Sequence, residues 1–454
     1  MEILLRAELP TRFFAKMIVL APSPSLLLAW LLGAAIGVGG LLQGLHWSRS
    51  GAGPNAADLS DELRLARQEL AALKRENESL RSLAQGGGEF AVPQELIDRI
   101  EQDFKLRFLS SPVVHRIARE ELRDRIGAAV ESRFGPSGID DRQEAYRLIG
   151  WLDKSHPLLA ELTAVLAVGV RGWFDDVTGE GWVTDQLVLE NIPDQATLMR
   201  LLTRILLHQH FPPPPAYPGD DADRARLALH QGIGLGSEAR HYAANARAIG
   251  FVPVKQDEEA ARTFATLAPF IQGVSLFPAT AGKGFADALY LQGNDSLHAA
   301  LRNPPQSTRA ILQPTTPPAA PPPLAMDRPD PADEPFLSET AGQLGLRIWL
   351  ETAVDASAAA EIASHWVNDR YWLVPDGDAE VALIWDIELN SANAVDLLEN
   401  AANARIAAMA AKPSAPADSS SVTPSGRQLK CLRISPTKLR FSNSAKPGTG
   451  DAPD

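Results

Sequence analysis

The chain has 454 residues, 45% of them hydrophobic, enough for a sizeable core in two or three domains. A net charge of −13 argues against nucleic acid as the main partner and against electrostatic attachment to anionic lipid. A single cysteine excludes an internal disulfide and a thiolate metal cluster.

Between Lys16 and Arg49 the chain carries no acidic or basic residue other than His46, and Leu26–Leu45 is almost continuously apolar. At about 1.5 Å per residue that run matches the roughly 30 Å hydrocarbon core of a bilayer. A cleaved signal peptide is the alternative, but its apolar stretch is usually about 7–15 residues and no small-residue cleavage site follows here. Arg6, Arg12 and Lys16 precede the span and Arg49 alone follows closely, so the positive-inside bias puts the N-terminus in the cytoplasm. The expected location is a single-pass cytoplasmic-membrane protein with its bulk in the periplasm, residues 1–48 forming the N-terminus and anchor.

Residues 49–88 follow as a stalk and glycine linker. Leu59, Leu63, Ala66, Leu70, Leu73, Asn77, Leu80 and Ala84 alternate by four and three, a heptad seam with a lone polar core residue, Asn77. Such an Asn favours a parallel dimer in register, so residues 59–84 predict a homodimer. A single amphipathic helix packed on the body is the simpler alternative.

Residues 89–316 read as mainly helical, with amphipathic runs at Gln94–Phe108, Ala118–Phe134, Asp141–Ile149, Ala196–His208 and Asp221–Ile249. One strand pair, Gly172–Val183, flanks a Thr178-Gly179 turn. The proline-rich residues 317–335 read as an extended linker. Residues 336–443 predict a small antiparallel sheet with helices on one face. Its elements are helices near 342–353, Ala356–Val367 and Ala392–Met409, and strands at Tyr371–Val374, Val381–Ile387, Leu429–Ile434 and Lys438–Phe441. Residues 444–454 are expected to be a disordered tail. The fold class is therefore α+β.

Four segments resemble one family of bacterial membrane-tethered, gluzincin-type metallopeptidase-like proteins. VRGWFDDVTGEGWV, 170–183, is similar to its strand pair, and LMRLLTRILLHQHF, Leu198–Phe211, to its L-x-H-E-x-x-H-A-L-x-D-Q-H-F helix. Leu276–Pro314 carries its F-P-x-x-x-G and N-P-P-x-S-T-x-x-I-L-x-P pattern, and His365–Ala394 resembles its G-W-x-x-D-R-Y segment with the strands that follow. The resemblance covers most of residues 105–410 and implies a zincin-like helical domain. Its zinc site needs two His at i and i+4, a Glu between them as general base, and a further Glu before Gly on the next helix. Matched on the closing Q-H-F, the first three positions here are Arg200, Leu201 and Arg204, and the Glu before Gly on the next helix falls at Gln231, before Gly232. Arginine keeps its proton and has no lone pair for a metal, and leucine cannot accept a proton from water. The resemblance therefore implies a pseudoenzyme with no cofactor and a binding or scaffolding role toward an unknown envelope protein or peptide.

Two alternatives stay open. His208, His210, His230 and His241 form an H-x-H pair and a pair three turns apart on one helix, a set that suits a borderline metal and so a peptidase or hydrolase with another kind of metal site. Arg200 and Arg204 either receive an anion, such as a peptide carboxylate, or form internal ion pairs, with Glu238 the candidate partner. Asp175–Asp176 and Asp220–Asp221 read as turn and loop acids, and no Ser-His-Asp set, P-loop or dinucleotide fingerprint is visible.

Overall fold

The computed structural model describes residues 88–134, 136–214, 217–246, 258–314, 334–377, 380–410, 420–422 and 426–445. The expected span at 26–45 and stalk at 59–84 lie outside these. Among the described residues no helix is long and apolar enough to cross a membrane.

The helical segment opens with α1 (Gln94–Phe104), β1 (Val114–Ile117), α2 (Arg119–Phe134), α3 (Pro136–Ile149) and α4 (Leu158–Ala167). Strands β2 (Gly172–Phe174) and β3 (Gly181–Thr184) form the expected hairpin, and β1 pairs in parallel with β3 to make a three-stranded sheet of order β1-β3-β2. Four residues of mixed polarity are too short a run to show the period of a strand, so β1 was not expected. Two long helices follow, α5 (Ile192–His210) and α6 (Asp220–Ala244). Asp220, Asp221 and Asp223 occupy the first turn of α6, where the helix dipole favours negative charge. Then come α7 (Glu258–Thr266), α8 (Pro269–Leu276), a π-helical turn (Pro278–Gly282), α9 (Lys283–Leu291), α10 (Asn294–Arg302) and α11 (Thr308–Leu312).

The second segment contains β4 (Leu337–Glu339), α12 (Gly342–Leu350), α13 (Ala356–Ser364), β5 (Trp366–Pro375), β6 (Val381–Leu389), α14 (Ala392–Ala410), β7 (Ser420–Val422), β8 (Gln428–Ser435) and β9 (Lys438–Ser444). The strands pair antiparallel in the order β4-β5-β6-β9-β8-β7, so the α+β class and antiparallel sheet agree with expectation. Helix α13 stops at Ser364 rather than continuing to Val367. The reason is the Trp366–Val374 run, whose aromatic and β-branched residues suit a strand and pair with β6 from Trp366↔Leu389 onward.

Two hydrophobic clusters make the core, and α6 divides them. Leu229 and Ile233 face one cluster with α5, the small sheet, α1, α9 and α10. Ala225 and Ala228 face the other, which runs from α2, α3 and α4 through Trp151 and Phe270 into Trp349, Trp385 and Phe441 of the second segment. The core is thus continuous across the proline-rich residues. The junction is also polar: Trp349 Nε1 donates to the Ile149 carbonyl at 2.9 Å, and Asn443 Nδ2 donates to that of Leu148 at 2.8 Å. Asp369 accepts from the indoles of Trp366 and Trp385 and from the amides of Ala341 and Gly342, which satisfies a buried carboxylate with four donors. Trp366 and Asp369 belong to the W-x-x-D-R-Y segment, whose role here is therefore structural.

Candidate functional site

A cavity of about 420 Å³ opens between the two core clusters, walled by α2, α4, β2, α5, α6 and α8. Arg200, Leu201, Arg204 and Gln231 all line it, so the four positions singled out by the resemblance converge in space although 31 residues separate the first from the last. Two features bring α5 and α6 to this arrangement. Gly234 faces the Arg200 side chain, and Gly232 lies so near the π-helical turn that an added Cβ would sit 2.4 Å from the Gly282 carbonyl oxygen. Only glycine permits that approach.

Both arginines are internally paired. Arg200 Nη1 lies 3.3 Å from Glu238 Oε2, the partner expected from the sequence, and the Glu238 side chain is only 3% exposed. Burial pushes the Glu238 carboxyl up, and Arg200 opposes the shift. Arg204 Nη2 donates to Asp176 Oδ1 at 2.7 Å, with its guanidinium 4.7 Å from the Phe174 ring centroid. Burial alone would raise Asp176, but Arg204, Arg226 and Arg133 prevail and draw it down to about 2. Asp176 is thus an ionised partner for a buried cation, which corrects its reading as an ordinary turn acid. Its neighbour Asp175 does serve the turn, accepting from the Val177 amide at 3.0 Å. Leu201 packs its side chain over Gly181 of β3 and is 2% exposed, a core contact at the position where the family carries its base.

These residues do not fit a zinc ion. Two guanidinium groups oppose a dication, Leu201 offers no donor, and Gln231 supplies at most a neutral carbonyl. Nor does the structure bring the four histidines together. His210 Nε2 lies 2.7 Å from the Arg107 carbonyl, and His241 Nε2 lies 3.2 Å from Gln195 Oε1. His208 and His230 are near enough to influence each other, but burial and the charges of Arg226 and Arg204 push His230 down to about 3. Among the described residues no group of three or more His, Cys, Asp or Glu is arranged to hold a metal ion.

The far end of the cavity holds a second charged centre that sequence reasoning missed. Asp220, 2% exposed, accepts from Arg142 Nε at 2.9 Å, Tyr146 OH at 2.6 Å, Tyr217 OH at 2.8 Å and Tyr371 OH at 2.8 Å. Arg224 Nη2 adds a longer contact at 3.4 Å. Burial would raise Asp220, yet these cations and hydroxyls pull it far below the usual carboxylate range. Glu339 of β4 accepts from the Asp220 amide and pairs with Arg142, and burial beside Asp220 pushes it up to about 7. Asp221 accepts from the Thr308 hydroxyl at 2.6 Å, and its burial likewise pushes it up to about 7. Asp220 and Asp221 are therefore buried anchors for residues 146, 217, 308, 339 and 371, not loop acids. The sequence signal was the pairing of an acidic helix start with Arg224 and Arg226 just downstream on the same helix.

The fold and cavity define an α+β protein with an arginine-rich, internally compensated site. Neither family models, nor curated proteins, nor solved structures match the chain.

Proposed function

We propose that the chain is a non-catalytic, peptidase-like protein, anchored in the cytoplasmic membrane through residues 26–45, that binds a ligand in the cell envelope. One observation carries this reading: Arg200, Leu201, Arg204 and Gln231 line a single cavity, and its cations are neutralised by Glu238 and Asp176. A site with this lining supplies neither a Lewis acid nor a general base at those positions, and it retains a ligand-sized space. The likeness of four segments to the zincin-like family, including the spacing that places Arg200, Arg204 and Gln231 together, supports the same scaffold. Dimerisation through residues 59–84 would put two such cavities in one assembly. The test is incubation of the full-length protein with casein and a peptide library, with and without added zinc. No cleavage is expected in either condition. Cleavage abolished by a chelator would favour a peptidase with another kind of metal site.

A further inference from the structure

We propose that the cavity takes an uncharged aliphatic ligand, a long-chain alcohol or the acyl chain of a neutral lipid, packed against α4 and α8; the idea deepens the non-catalytic reading above and rests on it. Helix α4 is apolar except for Glu161 and Thr163, yet only Leu158 and Glu161 of it are buried. A helix that is hydrophobic all round is ordinarily covered all round. Its two polar side chains are turned elsewhere: Thr163 faces Gly127 of α2, and Glu161 accepts from the Ala268 amide at 2.8 Å and lies 2.9 Å from His156 Nδ1. Leu162, Val165 and Leu166 are left on the cavity wall, joined by Ile271, Val274 and Leu276 of α8. Leu166 and Val177 line the cavity while remaining 37% and 60% exposed, so apolar surface continues to its mouth. Apolar area that the fold leaves partly in water is stabilised by an apolar occupant.

The charged part of the lining asks for no counter-ion. Arg133, Arg142, Arg200, Arg204 and Arg224 line the cavity, and each is in ion-pair contact with a carboxylate of the protein. The hydroxyls of Tyr146 and Tyr217 are spent on Asp220. A charged ligand would give up its hydration here and meet no free opposite charge, whereas a neutral chain loses nothing of that kind. Gln231 also lines the space, and its carboxamide suits a ligand hydroxyl or ester, with which it exchanges a neutral hydrogen bond. A volume of about 420 Å³ falls within the usual range of small-molecule sites, about 300–1,000 Å³. The anchor proposed for residues 26–45 would keep the cavity at the membrane, where uncharged aliphatic molecules concentrate.

Trp173 lines the cavity and reports on it directly. Full-length protein in nanodiscs of zwitterionic lipid is titrated with 12-bromododecanol, whose bromine quenches nearby indoles. Comparisons are 12-bromododecanoate and the capped peptide N-acetyl-leucyl-leucinamide, with every affinity referred to the compound's concentration in the bilayer. A saturable component of quenching that disappears in Trp173→Phe is expected, with the carboxylate at least about tenfold weaker than the alcohol. Leu166→Asp, at a position 37% exposed and so tolerant of a charge, should weaken binding of the alcohol at least about tenfold, and so, independently, should the cavity-filling Val165→Phe. Equal or tighter binding of the carboxylate would overturn the neutral assignment, and unchanged affinity in both variants would overturn the role of the α4 wall. Quenching wholly retained in Trp173→Phe would place the alcohol in the bilayer or at another site, and displacement by the peptide at lower concentration than by dodecanol would give the cavity to peptides; either result overturns the proposal. Zinc content and casein cleavage of the same preparations report on the non-catalytic reading separately, so its failure and failure of the lipid assignment are told apart.

Discussion

Restoring the zinc residues with Arg200→His, Leu201→Glu, Arg204→His and Gln231→Glu should create a protein whose stability depends on zinc. The first substitution leaves Glu238, 3% exposed, without its cation; the contact is an ion pair without a hydrogen bond and burial already raises this carboxyl, which can neutralise by taking up a proton, so about 1–3 kcal/mol is expected. The third strips Asp176 of its closest partner, but that side chain is 25% exposed and Arg133 and Arg226 remain near it, so about 1–2 kcal/mol is expected. Leu201→Glu adds a carboxyl where an apolar side chain now packs on Gly181, at a further cost of about 2–5 kcal/mol. The metal-free variant is therefore near the limit of a total stability of about 5–15 kcal/mol. Zinc reverses the charge problem, because a dication beside Glu238 and Asp176 replaces the two lost guanidinium groups. At a thousandfold excess over Kd it contributes about 4 kcal/mol, a rise in Tm of about 5 °C for a chain of this size. Differential scanning fluorimetry of the variant with zinc, with magnesium and with chelator reads this directly. A variant as stable as wild type without metal, and insensitive to zinc, would refute both the pairing of Arg200 with Glu238 and the placement of the four positions.

Asp221 and Glu339 are held above their ordinary values by burial, so the folded state binds protons that the unfolded chain releases near pH 4. Their contribution is complete below that range and is lost as pH rises to about 7; urea midpoints should fall across this window, and Asp221→Asn should flatten the slope. Asp220 shifts in the opposite direction, so its contribution is lost only under strong acid, and Asp220→Asn should cost about 3–5 kcal/mol at neutral pH because Arg142 and Arg224 lose their shared anion. A C-terminal alkaline phosphatase fusion should be active and a cytoplasmic reporter fusion dark, with the reverse pattern overturning the expected topology. A peptide of residues 55–88 should gain helicity with concentration, and one that stays unfolded at high concentration would remove the dimeric stalk.

The sequence was most legible where one period dominated. The helices over Arg119–Phe134, Ile192–His210 and Asp220–Ala244, three of the four long strands of the second sheet and the second half of the fourth, β5, follow from apolar spacing. The short strands β1, β4 and β7 did not, because three or four residues cannot display alternation and their pairing is decided by distant segments. Within the site, Arg200–Glu238 was readable because both residues sit on helices whose facing sides the spacing defines. Arg204–Asp176 joins a helix to a hairpin turn, and Asp220 gathers hydroxyls from Tyr146, 74 residues before it, from Tyr217, and from Tyr371, 151 residues after it. No local pattern encodes such contacts; tertiary packing creates them, and only then does an acid at a helix start become a buried hub.

The most direct test of the central claim is the zinc stoichiometry of the wild-type protein, extracted from membranes without chelator and measured by mass spectrometry of the metal against amino-acid analysis. A zinc content well below one per chain is expected, unchanged by dialysis against zinc followed by buffer, because Arg200, Arg204 and Leu201 offer the ion no donor. One tightly held zinc per chain would contradict the claim, and His208 and His230 would then be the first residues to substitute.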